Sequence, residues 1–399
     1  MNIKLEFIRR LFIMYMNFFM FSGYYLGLAL ILTTGNVELS KFYSLPVRVL
    51  QLVIAIITII HLNGLRFKIR QTDFYVFLFF IFYLLKVLYT EMITDKIPLH
   101  NLWYYYIFYF LFFNYSVYIF FRNINVKKYL HLIVKTQLIA GFLMALVVII
   151  FYRDILFAGE GGRFGANIEG NDDVILSPLA ISYAGALNIS LLIPYLSYNF
   201  KNLNIINKII HVVNFLLSMF LFVLGSTRGA LVVVILSVIL FIFSQTGFKK
   251  VKYVLLMIPI IPLFYFFLEF TGSSLLDRIN RTIENQDMSG RDRLWNEAIN
   301  EFLKYPIFGG KIEVSGFYPH NIILEILMGT GIVGAALFIL ILISTFTKNR
   351  INRDTIFLYI IFANGFFQYM FSGSIYTAII MFSAIGLLSG YKINMENGK

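Results

Sequence analysis

Residues 321–347 read NIILEILMGTGIVGAALFILILISTFT, an apolar run whose one ionisable side chain is Glu325. A helix needs about 20 apolar residues to cross the hydrocarbon of a bilayer, and this run supplies them. Similar runs lie on both sides of it, at 11–32, 45–61, 74–90, 102–121, 130–151, 176–197, 209–226, 229–246, 253–270, 356–372 and 374–390. With 59% hydrophobic and 14% charged residues, the chain lacks the polar surface of a soluble domain, which is about 25% charged. A bilayer offers no water to satisfy backbone N–H and C=O groups, so long apolar runs fold as helices. A β-barrel would show short alternating segments instead. The expectation is an all-α, polytopic transmembrane helix bundle of about twelve spans, with residues 1–399 forming a single integral membrane domain. The run 11–32 is too long for a signal-peptide core and lacks a small-residue cleavage site, so it is expected to stay as the first helix.

The net charge of +12 is distributed as a membrane protein would distribute it. Lys4, Arg9 and Arg10, then Arg66, Lys68 and Arg70, then Arg122, Lys127 and Lys128 fall on one side of the alternating spans. Lys201 and Lys208, then Lys249, Lys250 and Lys252, then Lys348, Arg350 and Arg353, and finally Lys392 and Lys399 fall on that same side. By the positive-inside rule that side and both termini are cytoplasmic. The charge therefore orients the protein and does not point to a nucleic acid. With no cysteine, the chain has no disulfide, thiolate metal site or cysteine nucleophile.

Three outer segments remain: 153–175, the tight turn Ser226-Thr227-Arg228-Gly229-Ala230, and the large loop 271–320, the one stretch of soluble composition. Long loops without a span of their own usually carry function. Within the large loop, Ser289 and Asp292 have capping-box spacing, which predicts a helix over 291–305 that ends at Tyr305-Pro306. Leu294, Trp295, Ala298, Ile299, Phe302 and Leu303 form one stripe on it, suiting a short interfacial helix with Trp295 at headgroup depth.

The outer face thus collects Arg163, Arg228, Arg291, Arg293 and His320. Arginine between apolar runs costs a few kcal/mol at depth, so Arg228 either serves a ligand or reaches headgroup phosphates. Arg291 and Trp295 are four residues apart and project from one helix face. His320 stands where the loop turns into apolar sequence, and imidazole accepts a proton near neutral pH. Several guanidinium groups with one imidazole suit an anionic ligand, pyrophosphate among them, with a proton acceptor beside it. Asp172-Asp173, Glu325 and Lys86 read as structural or supporting groups, and Gly329, Gly331 and Gly334 as places for a helix break or close packing.

Three blocks carry a resemblance: Gly225-Ser226-Thr227-Arg228-Gly229-Ala230; Ser289-Gly290-Arg291-Asp292-Arg293-Leu294-Trp295 with Tyr305-Pro306-Ile307-Phe308-Gly309-Gly310; and Pro319-His320-Asn321 with Gly329-Thr330-Gly331-Ile332-Val333-Gly334. In that order they resemble the O-antigen polymerase and O-antigen ligase superfamily of bacterial surface-polysaccharide enzymes, over roughly 200–340. Thr227 replaces the commoner Ser of the turn, and the Arg163 loop lacks the family's Pro-Asn pair. The resemblance implies a metal-independent membrane glycosyltransferase without a cofactor, acting on the outer face of the cytoplasmic membrane upon undecaprenyl-pyrophosphate-linked glycan donor and acceptor. It implies that Arg228 and Arg291 grip the donor pyrophosphate and that His320 deprotonates the acceptor hydroxyl. Arg163, Arg293, Trp295 and Asn321 are then expected on the substrate side, with membrane lipid, a chain-length regulator and a flippase of the same pathway as partners. Polymerisation of O-antigen or capsular repeat units is the preferred reading, with ligation of the glycan to lipid A-core as the alternative. A flippase is more distant, because a transporter places its charges at the midplane between repeated halves.

Overall fold

The computed structural model describes residues 3–34, 36, 38–62, 69–93, 99, 102–152, 176–285, 291–347 and 349–397. Arg163, Asp172-Asp173, Ser289 and Gly290 lie outside the described residues. Among the described residues the regular elements are helices, with β-pairing confined to isolated bridges such as Val314 with Phe317. The chain is an all-α, multi-pass membrane protein. Among the described residues, eight helices are long and apolar enough to cross a bilayer. The pair Lys4–Phe18 and Ser22–Leu32 passes only as one span bent by 67°, and Arg228–Phe243, Ile356–Phe371 and Ile379–Tyr391 are shorter apolar helices. Of the twelve runs expected to be spans, eight, or nine with the bent pair, thus reach span length among the described residues, and the first run, expected as one helix, is broken near Phe19–Phe21.

Packing divides the chain into two compact units, each built from separated stretches of sequence. The first comprises Met1–Leu50, Lys127–Asn285 and Ile351–Asn364. Its centre is the helix Pro178–Asn199, which starts with proline at the first helical position, where no N–H is needed, and is capped by Ser177 Oγ accepting from Ala180 N at 3.1 Å. Gly185 lets it press directly on Ser218 and Phe222 of the helix Ile205–Leu224. Asn188 bridges the same pair, donating to Asn214 Oδ1 at 2.7 Å and Ser218 Oγ at 2.8 Å, as polar groups do between helices in lipid. The span containing this helix is 83% buried, whereas the more apolar Phe248–Phe270 is only 6% buried. A helix apolar all round and covered by no protein is one that faces lipid.

The second unit comprises Gln51–Val126, Gln286–Arg350 and Gly365–Lys399. Here Gln71–Ile93 packs on Ile322–Phe346, and Ile379–Asn397 packs on Ser116–Asn123. A buried ion pair ties two of these stretches, with Arg122 Nε and Nη2 donating to Asp73 at 2.8 and 2.5 Å and Tyr118 Oη donating to Asp73 at 2.7 Å. Such a bidentate pair, with further donors satisfied, is the form in which charge survives burial.

The helix Ile322–Phe346 is interrupted at Gly331, which lies at φ 62°, ψ −160°. The interruption releases main-chain groups from the helix, and the turn after Tyr305 takes them. Ile332 N donates to Pro306 C=O at 2.9 Å, Val333 N to Ile307 C=O at 3.1 Å, and Gly310 N to Met328 C=O at 2.8 Å. A Cβ on Gly331 would overlap Ile307 and Gly309, and one on Gly309 would overlap Gly329 and Thr330. Lys86 Nζ adds a bond to Gly309 C=O at 2.9 Å. The two glycine-bearing blocks are thus the two halves of one joint, and the positive φ at Gly331 is the conformation only glycine adopts without strain.

Candidate functional site

Asn321 opens the helix Ile322–Phe346 as its N-cap, Oδ1 accepting from Ile323 N at 3.0 Å and Leu324 N at 3.2 Å. Its side chain is therefore engaged in capping. His320 precedes it at φ 55°, a left-handed conformation uncommon for any residue but glycine. Its neighbours impose that conformation. Trp295 Nε1 donates to Pro319 C=O at 2.9 Å, and the Tyr318 ring stands edge-on to the imidazole with centroids 4.6 Å apart.

Trp295 is carried by the helix Arg291–Lys304, whose Leu294 and Ala298 pack with Val314, Leu324 and Met328. The stripe expected to rest on the membrane is therefore divided. Its inner part is protein core, and Trp295 meets a backbone carbonyl, while Ile299 and Leu303 remain exposed. This helix and the start of Ile322–Phe346 together fix the position of His320.

Arg291 lies one turn before Trp295, and its guanidinium acts on the imidazole electrostatically. Burial first, and the Arg291 charge second, push the His320 pKa down from 6.5 to about 4. His320 is thus neutral across the physiological range. Its Nδ1 is buried without a hydrogen-bond partner among the described residues. A buried polar atom left unmatched costs about 1–3 kcal/mol, and a catalytic role or a bound water or ion is among the reasons a fold keeps one. A neutral imidazole beside a fixed guanidinium can accept a proton while the cation faces an anion.

A tyrosine cluster adjoins this pair. Tyr318 lies 6.1 Å from Tyr376, ring to ring, and Tyr376 lies 4.7 Å from Tyr106, whose hydroxyl donates to Glu313. Burial holds the Tyr318 phenol up at about 12, so it stays protonated. Glu325, fully buried, accepts from Tyr83 Oη at 2.7 Å, from Ser374 Oγ, and from Ile375 N at 3.0 Å. It fastens three segments of the unit, as a supporting role requires.

The remaining candidates have partners of their own. Arg293 is exposed and pairs with Glu297 of the next turn at 3.3 Å. Arg228 belongs to the other unit, at the first position of the helix Arg228–Phe243 and after Ser226 at φ 45°. Its guanidinium donates to Thr282 Oγ1 and to Arg278 C=O at 3.3 Å, while Arg278 Nη1 donates to Ser226 C=O at 2.9 Å. The helix Leu275–Asn285 thus holds the turn in shape. Arg291, Trp295, His320 and Asn321 are gathered in one unit; Arg228 has its own partners, and Arg163 is outside the described residues. Among the described residues no three His, Asp or Glu side chains are grouped to hold a metal ion.

Tyr318, Tyr376, Tyr106 and Glu313 were not anticipated from sequence. Tyr318 adjoins Pro319-His320, but Tyr106 and Glu313 are 207 positions apart, and nothing local announces their pairing. Arg278 sits in a short helix with Leu275, Leu276, Ile279 and Ile283 on one side and Asp277, Arg281 and Glu284 among its charges, a pattern that could have been read.

Residues 213–339, which include Arg228, Arg291, Trp295 and His320, match the family described as O-antigen ligase. No curated protein and no solved structure matches the chain.

Proposed function

We propose, from the match of residues 213–339 to the O-antigen ligase family and the resemblance to the O-antigen polymerase and ligase superfamily, that the chain is a membrane glycosyltransferase polymerising lipid-linked oligosaccharide repeat units. The observation that carries this reading is the buried, neutral His320 with an unmatched Nδ1 beside the Arg291 cation. An acceptor hydroxyl of one repeat unit attacks the anomeric carbon of the glycan on undecaprenyl pyrophosphate. The anomeric carbon–oxygen bond to the pyrophosphate breaks as the new glycosidic bond forms, and His320 takes the hydroxyl proton. A positioned base contributes typically about 10²–10⁴-fold. The leaving pyrophosphate needs charge stabilisation more than protonation, and Arg291 beside His320 supplies it as a planar, permanently charged fork. The reading assigns Arg228 an anion-binding role of its own, needs no metal, and takes the site to lie on the outer face of the cytoplasmic membrane with both termini inside. It makes a flippase and a chain-length regulator natural neighbours in the pathway.

Ligation of finished glycan to lipid A-core is the second reading, favoured by the description of the matching family. Glycan gel profiles of a deletion strain separate the two. Single-repeat products support polymerisation, and polymer stranded on its carrier supports ligation. The glycosyltransferase reading itself fails if His320→Ala and Arg291→Ala proteins, inserted at normal levels, restore the full profile.

A further inference from the structure

On the other flank of the helix Arg291–Lys304 lies a cavity of about 320 Å³, within the same unit as His320. Glu297, Asn300, Glu301 and Lys304 border it at i, i+3, i+4 and i+7, so one continuous helix face forms this wall. Leu99 and Glu313 line it as well, and both are more than nine-tenths buried. The carboxylates are held in place by the protein. Glu301 accepts from Lys311 N at 3.0 Å, Glu297 from Ser315 Oγ at 2.7 Å, and Glu313 from the Tyr106 hydroxyl.

The lining decides what fits. Three carboxylates repel pyrophosphate, and the small volume, with those charges on its wall, does not suit a long polyprenyl tail. Lys304 and Lys311 beside the carboxylates discourage a bare cation. A compact ligand rich in hydroxyls satisfies fixed acceptors and donors together, and its C–H face can rest on Leu99. The volume is at the small end of ligand pockets, the scale of one or two sugar rings rather than a long chain.

We propose that this cavity is a saccharide subsite, holding one hydroxyl-rich sugar residue of the glycan, neutral or amino-bearing, with Glu313 as its deepest acceptor. This deepens the glycosyltransferase reading and rests on it for the identity of the glycan. Glu313 also bonds Tyr106 of the tyrosine cluster next to His320, so the subsite and the proposed base share one scaffold.

The test uses the full-length protein in detergent and, as probe, the free oligosaccharide released by mild acid from the lipid-linked repeat unit of the source strain. Titration calorimetry should show binding to the wild type. Asn300→Trp, at an exposed helix position, fills the mouth of the cavity and should weaken binding by about tenfold or more, which is about 1.4 kcal/mol. Glu313→Gln, which keeps an acceptor for Tyr106, should weaken it as well. In the polymerisation assay Asn300→Trp should raise the KM for acceptor or for donor, and whichever rises tells which glycan the cavity holds. Unchanged affinity and unchanged KM values in Asn300→Trp overturn the subsite, as does a wild type that binds no saccharide. If instead saccharide binding is lost in Asn300→Trp while His320→Ala leaves polymer intact, the subsite stands and the glycosyltransferase reading falls.

Discussion

The turn at Arg228 and the bend at His320 are equally conspicuous in sequence, yet the fold treats them differently. Around Arg228 the hydrogen bonds are closed upon protein, since Thr282 and the Arg278 carbonyl receive the guanidinium and Arg278 returns a bond to Ser226. Around His320 the backbone is forced into a left-handed conformation by Trp295 and the Asn321 cap, and Nδ1 is left unmatched. One region is organised to hold a charge still. The other is organised to leave a buried nitrogen unpaired. A binding group benefits from the first arrangement and a base from the second, because a base already hydrogen-bonded must surrender that bond before it can accept a proton.

That contrast can be broken most decisively at His320. His320→Ala should lower the glycan transfer rate about 10²–10⁴-fold with membrane insertion unchanged; a loss below about tenfold, measured with purified protein and lipid-linked substrate, would remove the base. Next come the arginines. Arg228→Ala and Arg291→Ala should each cost roughly 10²–10³-fold, as removal of one preorganised donor does elsewhere. If Arg228→Ala lowers only the thermal midpoint and leaves kcat/KM alone, Arg228 is a strut of its turn.

The pH profile sharpens the comparison further. A base must be deprotonated to work, and burial holds the His320 pKa down near 4, so activity should persist as pH falls and be lost only towards pH 4. At pH 5 the neutral fraction should then exceed that of an ordinary imidazole, pKa about 6.5, by about 30-fold. An acid limb of kcat/KM near 6.5 would contradict the buried setting. The smallest effect belongs to the cap. Asn321→Ala should cost about 1 kcal/mol of stability, read as a lower denaturation midpoint, whereas Asn321→Asp should retain most of it.

The spans were legible because a run of apolar residues has only one economical fate in lipid. The bend after Phe18 was not, since Phe18-Phe19-Met20-Phe21 is apolar throughout and carries no breaker before Gly23. The helix Arg291–Lys304 was legible from its periodicity, but not the destination of its stripe, because membrane and protein interior make the same demand on Leu294 and Ala298. The candidate base and cations were legible as residue types in a suggestive order. Their surroundings were not, since Tyr106 and Tyr376 come from distant segments and only packing brings them beside the loop.

The joint at Gly331 has a mechanical consequence. Because Pro306, Ile307, Gly309 and Gly310 are pinned through main-chain atoms to the helix Ile322–Phe346 and to Lys86, the end of the large loop is anchored on the helices. Beyond it, Ser315-Gly316 forms a tight hairpin-like turn at positive φ, closed by the Val314–Phe317 pair. A protease that nicks this turn would cut the chain without releasing either fragment, since main-chain bonds across the joint hold the upstream piece and the helix itself holds the downstream one.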